Sequence, residues 1–418
     1  MLELNKIYCG NNLDLLKQLD DKSIQLCVTS PPYFSLRSYL SKDDPNKHLE
    51  IGAEESLQEY IDNLVKIFSE VYRVLRDDGI LYLNLGDSYA ANRTYQVASN
   101  KGANKGVAQS VEGKGSKVPA GLKPKDLIGV PWRVAFALQD WGWTVRSEII
   151  WAKGISFNNK YSGSCMPESC KDRPTKSHET VFMLTKGTKY YYDNEAVAEE
   201  TTNPYTLDCI KKAKEQKSTR SDLNIFSKED RHGKGKKGIS RAEMGALMSS
   251  KRNIRSVWTI NPESFRGAHF AVMATKLIEP CILAGTSEYG CCFNCGKPYT
   301  RIIEKGRADE EHKRLCGADS NGEYLCEATK EFKKNNVQNA SEVKARILAG
   351  MVEKKTVGWK KDCKCETDEI KPCVVIDPFG GAGSVGLVVK QLGRDYILFD
   401  LNPEYCEIAK NRIQEILL

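Results

Sequence analysis

Cys373 to Ile376 is a short apolar run that empties into Asp377-Pro378-Phe379-Gly380-Gly381-Ala382-Gly383-Ser384. A helical pattern follows to Leu392, then a second apolar run, Tyr396 to Phe399, ending on Asp400. Strand, glycine turn, helix, strand, acid is a narrow specification. The glycines let the backbone pass close to a ligand and turn sharply into a helix N-terminus. A carboxylate at the end of the next strand can accept both hydroxyls of a ribose. The turn lacks the Lys of a triphosphate-binding loop, and its glycines are not spaced as in a dinucleotide site. A tight structural turn with a surface Asp is the plain alternative.

A second turn stands near the other end. Ile24 to Val28 reads as a buried strand, and Thr29-Ser30-Pro31-Pro32-Tyr33 leaves it. Two prolines remove two N–H donors and fix φ, so the chain must exit as a stiff corner. Carbonyls there stay available as acceptors, with the Ser30 hydroxyl before them and the Tyr33 ring after them. Gripping an amino group on a flat ring needs those parts: acceptors for two N–H groups and a face to stack on. Alone, such a stretch is as well explained as a surface turn.

Between the two turns, strands alternate with helices. Lys6 to Cys9 is a strand candidate, and Asn11 or Asn12 can cap a helix over Leu13, Leu15, Leu16 and Leu19. Residues 56–75 carry Leu57, Tyr60, Ile61, Leu64, Ile67, Phe68, Val71 and Leu75 at helical spacing, ending in Arg76-Asp77-Asp78-Gly79. Strands are expected at 80–85, 144–151, 178–185 and 257–260, and helices at 131–140, 268–283 and 403–417. The pattern predicts an α/β fold with a mostly parallel sheet covered on both faces. Residues 88–125, rich in Gly, Ser, Asn and Lys, read as a mobile loop.

The net charge of +7 permits a nucleic-acid partner without requiring one. Its distribution says more. Lys211, Lys212, Lys214, Lys217, Arg220, Lys228, Arg231, Lys234, Lys236, Lys237, Arg241, Lys251, Arg252 and Arg255 crowd one insertion. A solvated polar face and a phosphate-tracking surface explain that density equally well. No apolar run is long enough to span a bilayer, and the first residues lack a signal-peptide pattern. A cytoplasmic chain without a membrane partner is expected. Its 15 cysteines then read as thiols or metal ligands. Cys292-Phe293-Asn294-Cys295-Gly296 is a knuckle-like turn, and Cys363-Lys364-Cys365 could complete a structural zinc site. Cys291, Cys316 and Cys326 are substitutes, and free thiols in a polar insertion the alternative.

Taken together, Thr29 to Tyr33 and Asp377 to Ser384 resemble the amino-group DNA methyltransferases. The catalytic motif precedes the cofactor motif, an order similar to the β group of that family. The resemblance extends to Gly79–Asp87, to His178-Glu179-Thr180, to the helix around His269 and to the last 45 or so residues. It implies a permuted Rossmann-like methyltransferase fold, mostly parallel with one antiparallel strand, in which the strand ending at Asp400 lies beside Lys6 to Cys9. It also implies S-adenosylmethionine as cofactor. Asp377, Phe379, Gly381, Gly383 and Ser384 would line its methionine part, Asp400 would hold its ribose, and Asn11, where the family often has Asp, would lie near the adenine. His269 would sit near the cofactor helix, although it and His178 also read as ordinary boundary histidines.

Under that resemblance Ser30, Pro31, Pro32 and Tyr33 are catalytic. The Ser30 hydroxyl and Pro31 carbonyl would draw the amine toward a tetrahedral arrangement, and Tyr33 would stack on a base flipped out of the duplex. No covalent nucleophile is needed, and Cys27 reads as a core thiol. Ser at the first motif position resembles the cytosine-N4 enzymes more than the adenine-N6 enzymes, so a site-specific methyltransferase acting on cytosine N4 in double-stranded DNA is expected, with adenine N6 the alternative. Methylation of RNA or of a protein amide, or a zinc-containing DNA-binding protein with an inactive core, are the other readings. A companion restriction endonuclease, a homodimer and a prokaryotic or phage source fit the same picture. The expected organisation is a catalytic half over 1–198, a basic target-recognition insertion over 199–255, core helix over 256–290, a cysteine-rich insertion over 291–366 and a cofactor half over 367–418.

Overall fold

Each apolar run becomes a strand that is buried along its length, as Ile24–Thr29 is at every residue. The structure is a computed structural model. It describes residues 2–34, 38–41, 43–90, 122–155, 162–163, 170–215, 250–263, 265, 272–305 and 354–414. The chain divides into two compact units. The larger contains Met1–Asp193, Arg255–Tyr299 and Lys361–Leu418.

In the larger unit the strands are β1 (Lys6–Cys9), β2 (Ile24–Thr29), β3 (Leu75–Leu85), β4 (Thr144–Ala152), β5 (His178–Thr185), β6 (Val257–Thr259), β7 (Val374–Asp377) and β8 (Asp395–Asp400). They form one eight-stranded sheet in the order β1-β8-β7-β2-β3-β5-β4-β6. All neighbours pair in parallel except β5, which runs antiparallel to both β3 and β4. This is the permuted, mostly parallel sheet the resemblance implies. Cys9 lies opposite Asp400 and Ile376 opposite Cys27, so β1, β8, β7 and β2 bring their C-terminal ends to one edge.

The unit's helices are α1 (Asn12–Leu16), α2 (Leu57–Val74), α3 (Val130–Trp141), α4 (Thr275–Gly285), α5 (Ser384–Gln391) and α6 (Pro403–Gln414). Ser56 caps α2, its hydroxyl accepting from Glu59 N at 3.1 Å. The buried face of α2 is Leu57, Tyr60, Ile61, Leu64, Ile67, Phe68, Val71 and Val74, the periodic stripe read from the sequence. Burying each large apolar side chain there stabilises the fold by roughly 1.5–3 kcal/mol. On the sheet, Cys27 joins the α2 cluster, while its neighbour Leu26 presses on Gly285 of α4. A Cβ at Gly285 would stand 2.6 Å from Leu26 Cδ1. Successive strand residues point to opposite faces, so α2 and α4 cover the two sides.

Two element boundaries differ from the sequence reading. Arg76-Asp77-Asp78-Gly79, read as the end of the helix with the strand starting at Ile80, already belongs to β3. Its charges are accommodated by ion pairs, Lys22 to Asp77 at 2.8 Å and Arg76 to Asp78 at 2.8 Å. The helix expected from 268 begins at Thr275, whose N–H and hydroxyl are both held by the Glu263 carboxylate at 2.8–2.9 Å.

The second unit comprises Asn194–Ile254 and Thr300–Lys360, so parts of the basic insertion and of the cysteine-rich insertion share one unit. The outer cysteine pairs belong instead to the sheet-bearing unit. Glu199–Glu200 pairs with Lys251–Arg252, Pro204–Glu215 is helical, and Thr300–Lys305 pairs antiparallel with Lys354–Lys360. Of the basic cluster, Lys212 pairs with Asp208, Lys211 with Glu215 and Arg252 with Glu199. Residues 217–241 of that cluster, most of the 88–125 loop, Cys316, Cys326 and His269 lie outside the described residues. Among the described residues no helix is long and apolar enough to cross a membrane.

Candidate active site

β2 and β7 are adjacent and parallel, so the two turns that follow them emerge side by side. A hydrogen bond ties them directly: Thr29 Oγ1 donates to Asp377 Oδ1 at 2.6 Å, and both residues are buried. Asn12 Nδ2 reaches the Pro378 carbonyl at 3.4 Å, bringing α1 to the same edge.

The proline corner is anchored from below. Tyr60 Oη on α2 donates to the Pro32 carbonyl at 3.0 Å, so that oxygen is engaged in support of the corner. Ser30 and Tyr33 face a polar network instead. Tyr33 Oη donates to Glu179 Oε2 on β5 at 2.6 Å. Asn84 Nδ2 on β3 lies 3.3 Å from Ser30 Oγ, 3.0 Å from Tyr33 Oη and 3.0 Å from Glu179 Oε2. Lys153 closes the network as the ion-pair partner of Glu179. Burial and the Glu179 charge push the Tyr33 phenol well above its ordinary range, so it stays protonated. Its ring lies over Gly86, where a Cβ would stand 2.3 Å from Tyr33 Cε2. The sequence reading placed Thr29, Asn84 and Glu179 inside motif stretches without giving them a role, and it did not single out Lys153. Asn84 carried a signal: it is the polar residue inside an apolar run.

The glycine turn is built from backbone hydrogen bonds. Gly380 N donates to Phe399 O at 2.7 Å and Gly383 N to Gly380 O at 2.8 Å. Gly381 sits at φ +49°, the left-handed region that favours glycine. Gly383 serves packing, since a Cβ there would approach the Ala409 Cβ on α6 to 2.8 Å. Ser384 is likewise held from behind, its hydroxyl accepting from Arg412 at 2.8 Å. Phe379 packs partly against the core and donates its N–H to Asp377 Oδ1 at 3.0 Å.

Two carboxylates dominate the electrostatics. Burial pushes Asp377 up to about 7, against the hydrogen bonds from Thr29 and Phe379 N–H that favour its charge. Burial pushes Asp400 up to about 6, against N–H donors from Asn402 and Gly381, both at 2.8 Å. Two acids held near neutrality beside each other suit a ligand that carries positive charge and hydroxyl donors. S-adenosylmethionine, with its ammonium, sulfonium and ribose, has that chemistry. Asn11 meanwhile caps α1, its Oδ1 accepting from Leu13 N at 2.9 Å and Asp14 N at 3.3 Å, on the strand-end edge shared with Asp400.

A family model described as DNA methylase matches residues 24–296 and 370–411. The chain belongs to that family. This methylase is 35% identical over 416 residues to the type II methyltransferase M.Cfr9I of Citrobacter freundii, covering 99% of this chain and 89% of the relative. It is 38% identical over 321 residues to M.SmaI of Serratia marcescens, covering 76% of this chain and 87% of that one. Among solved structures it is similar to the PvuII DNA methyltransferase (cytosine-N4-specific), with 16% identity, a TM-score of 0.46 and coverage of 98% and 89%. The methylase is therefore a DNA methyltransferase of the amino-group type that uses S-adenosylmethionine.

Proposed function

We propose that this methylase acts site-specifically on cytosine N4 in duplex DNA, beside a companion restriction endonuclease, with adenine N6 as the alternative target. The observation that carries this reading is Ser30, a small neutral acceptor, at a corner bonded through Thr29 to the buried Asp377. S-adenosylmethionine, bound by the Asp377, Phe379, Gly381 and Asp400 edge, supplies an electrophilic methyl group.

The chain's own residues align the amine and take its proton. A ring amine is a weak nucleophile because its lone pair is delocalised. Ser30 Oγ and the Pro31 carbonyl accept its two N–H groups and favour charge developing on nitrogen. Asn84 holds Ser30 from behind. The Ser30 hydroxyl is oriented toward Tyr33 Oη at 3.5 Å, and Tyr33 donates to Glu179 at 2.6 Å. As Ser30 takes the amine proton, its own passes to Tyr33 and Tyr33's passes to Glu179. Tyr33 thus serves as a relay through its hydroxyl while its ring offers the flipped base a face. The basic segment around 199–255 is assigned target recognition on its charge.

The test is transfer of labelled methyl from S-adenosylmethionine to unmethylated genomic DNA, followed by nucleoside analysis. N4-methylcytosine is expected, and Ser30→Ala should abolish it while cofactor still binds. N6-methyladenine would overturn the base assignment. No transfer to any DNA, with cofactor bound normally, would overturn the substrate.

A further inference from the structure

Cys292, Cys295, Cys363 and Cys365 bring their sulfurs within 4.8 Å of one another in the sheet-bearing unit. Tetrahedral zinc bonded to four thiolates at about 2.3 Å requires sulfurs about 3.8 Å apart. Closing that difference takes small side-chain rotations. We propose that these four cysteines bind a structural zinc ion, and that the zinc-closed knuckle fixes the N-terminal ends of β2, β3 and β7.

The loops that present the sulfurs are built independently of any ion. Cys291–Cys292 pairs antiparallel with Ile370–Lys371. Gly296 N donates to Cys292 O at 2.8 Å, Cys292 N to Lys297 O at 2.9 Å, and Gly296 takes φ +67°. In the facing loop, Lys361 Nζ bonds the Thr367 carbonyl at 2.6 Å and closes the turn that holds Cys363 and Cys365. Zinc with four thiolates is doubly negative, and Lys361 and Arg76 supply positive charge nearby. Cys291, the alternative ligand read from the sequence, faces away toward the Lys371 and Pro372 carbonyls. All four ligands are sulfur, which leaves no open position for catalysis.

What the knuckle holds gives the site its purpose. Gln25, 2% exposed and second in β2, donates Nε2 to Gly296 O at 3.0 Å and accepts Val374 N at 2.6 Å. Arg76, second in β3, donates to the Cys295 carbonyl. A Cβ at Gly296 would stand 2.7 Å from Gln25 Nε2, so backbone and amide fit without slack. The strands joined here are those whose other ends carry Ser30 and Asp377.

The experiment uses the full chain purified under reducing conditions without chelator. Elemental analysis should find one zinc per chain, resistant to dialysis. Stripping with a mercurial and adding cobalt should give the thiolate charge-transfer band and the visible bands of tetrahedral cobalt. Cys295→Ser and Cys363→Ser should lose that spectrum, and Cys170→Ser should keep it. Amide exchange at Val374 should accelerate by at least about tenfold in the stripped protein. Disulfides among the four cysteines, iron in place of zinc, or metal-free protein with four free thiols would overturn the metal assignment. Should the variants fail to fold, the wild-type metal content and cobalt spectrum still decide. Unchanged exchange at Val374 would overturn the clasp.

Discussion

Asp377→Asn separates what the charge at the glycine turn does for a ligand from what it costs the fold. The amide keeps an oxygen for the two donors now on Oδ1, Thr29 at 2.6 Å and Phe379 N at 3.0 Å. It removes only the ionisation. The folded carboxyl titrates at about 7, against 3.8 for the ordinary group. Below both values wild type and variant are neutral and equally stable. As pH rises, the unfolded chain releases the proton first, so the wild-type fold loses stability relative to the variant until the folded carboxyl also ionises. Each unit between the two values is worth about 1.4 kcal/mol. The variant should lead by about 2 kcal/mol near pH 5.5 and about 4 kcal/mol near pH 8.5. Urea unfolding followed by circular dichroism at the two pH values measures the gap, and calorimetry with S-adenosylmethionine should show binding lost in the same variant. A variant no more stable than wild type at the higher pH, or a gap that does not widen with pH, would refute the account of this carboxylate.

Gly86→Ala places a methyl group where Tyr33 lies, and Tyr33 is tied to Glu179. Displacing the corner should lower kcat about a hundredfold with cofactor affinity unchanged, measured by methyl transfer and calorimetry. Glu179→Gln removes the end of the proposed proton path and the ion-pair partner of Lys153. It should also lower kcat about a hundredfold in the same methyl-transfer assay, with cofactor affinity unchanged by calorimetry.

The sheet was legible because period and length decided it: strands 6–9, 144–151 and 178–185 needed little or no adjustment. The stripe on α2 was legible for the same reason. Arg76 to Gly79 misled because charged residues before a glycine look like the end of a helix, and the ion pairs from Lys22 and within β3 let them extend the strand. At the active site the two turns announced themselves through proline and glycine, residues with strong local geometry. Asn84, Lys153 and Glu179 lie far apart along the chain, and only the sheet order brings them to Tyr33. Gln25 is the sharpest case: on a wholly buried strand it and Thr29 are the polar residues, and the two partners of Gln25 lie about 270 and 350 positions away.

The pairing of β1 with β8 imposes an order on the molecule's own birth. The ribosome makes the proline corner, Ser30 to Tyr33, well before it makes β7 and β8. That corner then waits for β7 and β8, since Asp377 and Asp400 arrive more than about 340 residues later. A growing polypeptide can therefore carry the half proposed to grip the base without being able to modify anything. Activity should switch on abruptly once Asp400 has been made, so a message interrupted before it yields silent fragments rather than partly working enzymes.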